Sequence, residues 1–489
     1  MTKLKRFITK HDSLCVFLLF LLISVGFVFR NVILGFDSLW VFGNLYKLSN
    51  GLQIYEEVNI LTFPLFYELF RMLLTLFNNY LGFLLLNFLI ITPLYFMIYQ
   101  VFKVCNVKKS FALLFTMVIW IITNQMTAFG PSYSTFSLLL YIAGLFFYFK
   151  KKDSKFSFVI QGILAFLILL SHQKFGAAYI GALLLLHLFN IKSEKKSIVT
   201  LLKTYSVTFV LCLLFVLILF LTNRLNSFLD LTILNMGSFT QNVSFAISTV
   251  LYLLGTLAFL VFGFILIKKK YNNYKPLKAL LCFSFSLLLV VYPILNEYHF
   301  LLFFAVFFIL VFFMLYNLFE NFLNNKTINK LVTVISVLLA LFLVSNSIVR
   351  FVIWNDKHLK TPGNVFYGAV IDEKLINPIN ETTEYINALK EQGKHYRILS
   401  LHAMFYTLYD VPEKNNNYFD LPLRGNLGKE DWHTLSNILD QEPEGTYIII
   451  DRKINDKFLI YQFPEEIFNY VNEHYKYVQD IGCYAVYEK

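Results

Sequence analysis

The chain has 489 residues, 57% hydrophobic and only 15% charged, with a net charge of +11 and a mean hydropathy of +0.61. That apolarity excludes an ordinary soluble domain, in which about half of the residues at most are apolar. The basic residues lie in short loops between apolar runs and not on one face, which excludes a nucleic-acid partner and reads as a topology signal.

Apolar runs near the length of a membrane span recur at 13–34, 81–102, 110–127, 134–149, 156–171, 175–191, 201–222, 246–267, 276–293, 299–318 and 331–352. A helix needs about 20 such residues to cross a hydrocarbon core of about 30 Å. The first run ends at Arg30 with no small-residue cleavage site, so it reads as a retained span and not as a removed signal peptide. With the N-terminus inside, the inner segments up to the last span hold 21 Lys and Arg and the outer ones hold four: Lys47, Arg71, Lys174 and Arg224. The positive-inside rule therefore predicts a multi-pass protein of a bacterial cell membrane, with a cytoplasmic N-terminus, about eleven spans, and residues 353–489 outside. The bias towards Phe, Ile, Lys, Asn and Tyr points to an AT-rich bacterial genome.

One pair of spans is unusual. Residues 156–191 are nearly continuous and would form a single helix about 54 Å long, so the chain must turn back at His172, Gln173 and Lys174. The segment 1–352 reads as a transmembrane domain. From about Asn355 charged residues become frequent, and elements alternate: helices near 381–393, 431–439 and 464–473, strands near 396–401, 446–450 and 482–487. The tail, 353–489, therefore reads as a small α/β domain outside the membrane. The segment Thr361 to Gly368 is placed to act as a mobile flap over an outer site. The five cysteines (Cys15, Cys105, Cys212, Cys282, Cys483) show no CxxC spacing and indicate neither a disulfide framework nor a thiolate metal site.

The first outer loop, 35–80, stays rich in apolar and aromatic residues, and 38–49 and 64–77 can form amphipathic helices in the interface with Trp40 and Tyr46 at headgroup depth. Two readings fit Asp37, directly after the first span. Position alone favours an N-cap for the next helix; the other reading is a carboxylate at the depth of a lipid-linked phosphate.

After Asp37, just past the first span, come Gly51, then Tyr55 with Glu56 and Glu57, and then Pro64. In this pattern the loop resembles that of the GT-C superfamily of membrane glycosyltransferases, which includes protein O-mannosyltransferases and aminoarabinose transferases. Where the family often carries Asp-Glu, this chain has Asp37-Ser38. The resemblance implies a GT-C fold, a sugar donor on a polyprenyl phosphate, and a cell-envelope glycan or lipid-linked acceptor at the outer face. It makes Asp37 the general base of an inverting displacement. Tyr55, Glu56 and Glu57 become substrate contacts.

The leaving lipid phosphate then needs cationic or hydrogen-bonding partners. Lys174, with His172, Gln173 and Gly176, resembles the basic corner of GT-C relatives; the plain alternative is a snorkelling lysine beside helix-breaking neighbours. Arg224 is the second phosphate candidate, or else a headgroup anchor. Glu297 and His299 read as a substrate contact or a polar turn, and their spacing is a weak metal signal. No cofactor or metal is assigned. Tyr133 stands where relatives carry an aromatic, although their acidic residue is missing and Gly130-Pro131 also reads as an ordinary turn. In the tail, Arg424 and Asn426 are candidate acceptor contacts within a stretch whose default is a surface loop. No DxD or Rossmann fingerprint is present, which fits a lipid donor.

Three other functions compete. A transporter or lipid-glycan flippase would need polar residues at mid-membrane depth and repeat symmetry, and the spans are almost purely apolar. A glycan polymerase or ligase would place its large outer loop late in the series. An envelope scaffold leaves Asp37 and Lys174 unexplained.

Overall fold

The computed structural model describes residues 12–29, 36–58, 60, 62–123, 131–151, 154, 156–190, 197–234, 247–270, 275–291, 297–323, 325–360, 365–370, 373–399, 436–437, 439–451, 465–482 and 484–489. Each of the apolar runs is helical over most of its described residues. In chain order the helices are α1 (Asp12–Val28), α2 (Phe36–Ser49), α3 (Leu65–Leu74), α4 (Tyr80–Leu86), α5 (Phe88–Val104), α6 (Lys109–Thr123), α7 (Tyr133–Lys151), α8 (Ser157–Ser171) and α9 (Gln173–Asn190). There follow α10 (Ser197–Leu221), the short α11 (Leu225–Leu229) with a π-helical turn at Asp230–Leu234, α12 (Ile247–Lys270), α13 (Lys275–Val291), α14 (Glu297–Leu318), α15 (Glu320–Leu323) and α16 (Lys326–Lys357). Among the described residues, five helical stretches are long and apolar enough to cross a membrane: Tyr80–Val104, Tyr133–Lys150, Ser197–Leu221, His299–Leu318 and Lys326–Lys357.

Burial shows which solvent each helix meets. On α10, Leu213, Leu214, Leu217, Phe220 and Leu221 are all at least half exposed, and α16 is similar at Leu338, Leu341, Phe342 and Ile348. A water-soluble chain does not leave such continuous apolar surface bare; hydrocarbon covers it in a multi-pass membrane protein. The interior is aromatic instead. Trp120 of α6 is 1% exposed and packs on Phe20 and Phe27 of α1 and Tyr95 of α5, with ring centroids 6.1, 4.7 and 4.2 Å away. Buried polar groups stitch helices together: Thr92 donates to Ser24, the Tyr95 and Thr123 hydroxyls pair at 2.7 Å, Tyr141 donates to the Phe283 carbonyl, and Tyr179 donates to Gln161. At the predicted inner end, Asp12 bridges Lys103 (3.0 Å) and Lys109 (2.9 Å), tying α1 to α5 and α6.

The two loop helices form where the hydrophobic pattern places them but differ in setting. Four apolar residues of α2 are covered by protein: Val41, Phe42, Leu45 and Leu48 are 2% exposed or less. Only α3 and the turn after it leave an apolar stripe bare, through Leu69, Met72, Leu76 and Phe77.

The segment expected to be a flap is anchored where it is described, at Val365–Val370. Its carbonyls at Val365 and Tyr367 accept from the backbone N–H groups of Tyr80 and Leu81, both at 2.8 Å. These are first-turn amides of α4 with no partner inside the helix, and the Asn79 side chain takes the next, Gly82, at 2.9 Å. Trp354 Nε1 donates to the Gly368 carbonyl at 2.8 Å.

The tail contains α17 (Glu373–Glu391), β1 (Tyr396–Leu399), β2 (Tyr447–Asp451), α18 (Glu465–His474), β3 (Lys476–Ile481) and β4 (Tyr484–Glu488). The sheet order is β1-β2-β4-β3; β1 and β2 are parallel and the other pairs antiparallel. Glu442, 6% exposed, accepts from Arg397 Nε at 2.6 Å and lies 3.2 Å from His395 Nε2. Helix α17 starts earlier than expected and runs through Pro378, which reads as a breaker in sequence. Strand β3 is an extra one: its Lys, Gln and Asp suit an exposed edge but hide it from an apolar pattern. Most of the helix expected at 431–439, and both Arg424 and Asn426, lie outside the described residues.

Candidate active site

The predicted corner is a sharp one. Helix α8 ends at Ser171, His172 is extended (φ −163°, ψ 125°), and α9 starts at Gln173. His172 serves both helices: its N–H donates to the Ile168 carbonyl, and its Nδ1 accepts from the Lys174 N–H at 3.3 Å. With Nδ1 accepting, the neutral ring carries its proton on Nε2. Gly176 makes the hairpin tight, since a Cβ there would lie 2.5 Å from the Leu169 Cα.

Aromatic rings from three other helices converge on this corner. The His172 ring lies 5.4 Å from Tyr133, the first residue of α7, and 5.5 Å from Phe175. Tyr133 in turn meets Tyr67 of α3 at 6.3 Å and Trp40 of α2 at 6.4 Å. Burial, and then the charges of Lys174 and His299, hold His172 down to about 3, so its imidazole is neutral. That dependence also places His299, near the start of α14, within electrostatic reach. Lys174 is only partly exposed, and among the described residues no carboxylate pairs with it.

Asp37 lies in the first turn of α2, one turn before Trp40. The free N–H groups and positive end of a helix favour a carboxylate there. The side chains of Asp37 and Glu297 are outside the described set, and Glu297 begins α14.

The second part of the first loop docks on the segment after α10. Arg224 donates to Gln53 Oε1 at 2.9 Å, and its Nε is buried with no hydrogen-bond partner among the described residues. Tyr55, at a φ of 72°, is 3% exposed, packs on Phe228 at 5.3 Å and donates to the Thr62 carbonyl at 2.9 Å. The turn it occupies points Glu56 outwards and folds Glu57 back to accept from the Gln53 N–H at 2.8 Å. Gln173 donates to the Thr232 carbonyl of the π turn at 3.3 Å and so joins this group to the corner.

The structure thus brings His172, Lys174, Tyr133 and His299 together around the corner, and Gln173 ties that corner to the π turn that follows α11. Glu56 and Tyr55 stand apart, one exposed and one buried. Sequence reasoning missed Gln53, the partner of Arg224, and Arg350 of α16, whose guanidinium lies 5.5 Å from the Phe27 ring at the end of the first span. An arginine inside an apolar run is itself a signal for Arg350. Among the described residues no cluster of three or more His, Cys, Asp or Glu could hold a metal ion.

No family model and no curated protein sequence matches the chain. Solved structures do. ArnT from Cupriavidus metallidurans bound to undecaprenyl phosphate aligns over 98% of both chains with a TM-score of 0.57 at 9% identity. The apo form aligns over 99% of this chain and 98% of its own, with a TM-score of 0.58 at 8% identity. The archaeal oligosaccharyltransferase AglB from Archaeoglobus fulgidus, in complex with an inhibitory peptide and a dolichol-phosphate, gives 0.53 at 11% identity over 91% of this chain and 70% of its own. At such identities the likeness is one of fold: the chain adopts the GT-C fold that these proteins share.

Proposed function

We propose that this protein is a glycosyltransferase that moves a sugar from a polyprenyl-phosphate donor to a cell-envelope glycan or lipid-linked acceptor at the outer face of the membrane. The observation that carries the reading is Lys174: a half-buried cation with no carboxylate paired to it among the described residues, at a tight helix corner lined by aromatic rings. A lone lysine in that setting is costly, and a phosphate is the counter-charge that would offset it. The GT-C fold supports the same reading, since its relatives were solved with undecaprenyl phosphate and dolichol-phosphate. Topologically the proposal is eleven spans, an inner N-terminus and an outer tail.

In this mechanism an acceptor hydroxyl attacks the anomeric carbon on the face opposite the phosphate. Asp37 takes the hydroxyl proton, the bond from the anomeric carbon to the phosphate oxygen breaks, and its electron pair leaves with the lipid phosphate. One displacement inverts the anomeric centre, as with a base opposite the leaving group in glycosidases. Lys174 and the Nε2–H of His172 stabilise the charge on the leaving phosphate. Arg224, whose Nε–H has no partner among the described residues, is the further donor. Tyr133, Gln173 and His299 line the site, and Glu56, which the turn leaves exposed, is the acidic residue offered to the acceptor.

The test is transfer from radiolabelled undecaprenyl-phosphate sugars by proteoliposomes carrying wild type or Asp37→Asn. Loss of the base is expected to slow turnover by about 10²–10⁴-fold at equal protein level. Equal transfer by both removes Asp37 from the mechanism. No transfer by wild type over a panel of donor sugars overturns the glycosyltransferase reading.

A further inference from the structure

After α16 the chain seats one aromatic side chain in the first-loop assembly. Phe366 is 0% exposed, and its ring lies 5.7 Å from Phe42 of α2 and 6.2 Å from Tyr80 of α4. It sits between the two carbonyls, Val365 and Tyr367, that take the first amides of α4. Gly368 completes the return at a φ of +88°, a conformation that favours glycine, and a Cβ there would stand 2.7 Å from the Leu81 Cβ. Trp354 holds the Gly368 carbonyl, and Gly368 N–H donates to the Leu359 carbonyl at 3.0 Å. The segment is therefore fastened to α16 at one side and to α4 at the other, with Phe366 as the plug between.

The helix touched by that plug is the one that carries Asp37. Phe42 is buried among Tyr80, Phe83 and Phe366, with centroids at 5.1, 5.3 and 5.7 Å. On the other flank Trp40 rests on Tyr67 and Tyr133. Short loop helices are marginal on their own, so the pose of α2 depends on these flanking contacts. We propose that Phe366 is a positioning residue for catalysis, which holds α2 so that Asp37 meets the acceptor hydroxyl. The strap behind the last span is thus a fixed clasp of the site. This inference rests on the proposed role of Asp37.

Phe366 does not contact the Lys174 corner in the described ring contacts, so its loss should separate turnover from donor binding. The experiment uses the full chain in nanodiscs as wild type, Phe366→Ala and Phe366→Leu. Two readouts are taken besides transfer: hydrogen exchange over residues 36–49, and the Kd for undecaprenyl phosphate. Expected for Phe366→Ala is exchange in α2 faster by about tenfold or more, with that in α13 unchanged. The Kd should stay within about twofold, and kcat should fall by about tenfold or more, since small misplacements of reacting groups cost up to about 10²-fold. Phe366→Leu, which refills most of the plug, should restore both exchange and kcat. The proposal is overturned by wild-type exchange in α2 of Phe366→Ala, by equal loosening of α13, or by a Kd that weakens in step with kcat. If wild type itself transfers no sugar, the reading of Asp37 falls, while the exchange data still decide whether Phe366 clasps α2.

Discussion

Lys174→Met separates a phosphate ligand from a structural lysine, because the two roles give opposite signs. Methionine matches the length of the side chain and removes only the charge. In the unliganded protein that charge is half-buried at a helix corner, with no carboxylate paired to it among the described residues. A lysine at the bilayer centre costs about 2.5–3.5 kcal/mol on insertion scales; at a partly exposed corner near the surface roughly a third of that applies. The variant is therefore expected to be more stable by about 1 kcal/mol. With lipid phosphate bound the sign reverses. A hydrogen bond to a charged group contributes about 1.5–3 kcal/mol, so the Kd for undecaprenyl phosphate should weaken by about 10–150-fold. Lys174→Arg, which keeps the charge, should stay within about tenfold of wild type. Stability is read from thermal unfolding in nanodiscs, and affinity from titration with undecaprenyl phosphate. A variant that is less stable and binds within twofold of wild type would make Lys174 a snorkelling side chain and refute the phosphate assignment.

Two further predictions test the frame around the site. A Cβ at Gly144 would lie 2.3 Å from the Tyr179 ring, whereas at Gly255 it would meet nothing within 4 Å; Gly144→Ala should cost about 1–3 kcal/mol and Gly255→Ala nothing, as measured by detergent-resistant thermal unfolding. In the tail, Glu442→Gln leaves buried Arg397 without its carboxylate. Such a break costs about 3–5 kcal/mol, so proteolysis should remove the tail at a temperature where the membrane helices remain intact.

Much of the fold can be read from local pattern. The helices of the membrane part follow apolar runs whose length is set by the bilayer, and the hairpin at His172 follows from a run too long to be one helix. The corner site was half legible. His172, Gln173 and Lys174 stand out because polar residues in an apolar run are costly, but nothing in their neighbourhood names Tyr133 or His299 as companions. The acidic pair Glu56 and Glu57 looks like one feature in sequence. The turn sends one outwards and folds the other onto Gln53, because a backbone reversal, not adjacency, sets the direction of each side chain.

Length and apolarity thus determined, without any structure, that this chain is a multi-pass membrane protein. Those properties are sums over neighbouring residues and need no knowledge of the packing. Tertiary structure alone decided that Tyr133 meets His172, that Arg224 meets Gln53, and that Phe366 returns to sit on Phe42. Each of those contacts joins segments far apart in the chain. With 55 phenylalanines available, hydrophobicity tells each one to be buried or to face lipid but not which partner to take. That choice is made by helix crossings and close approaches, such as Gly176 against Leu169, that only the folded chain specifies.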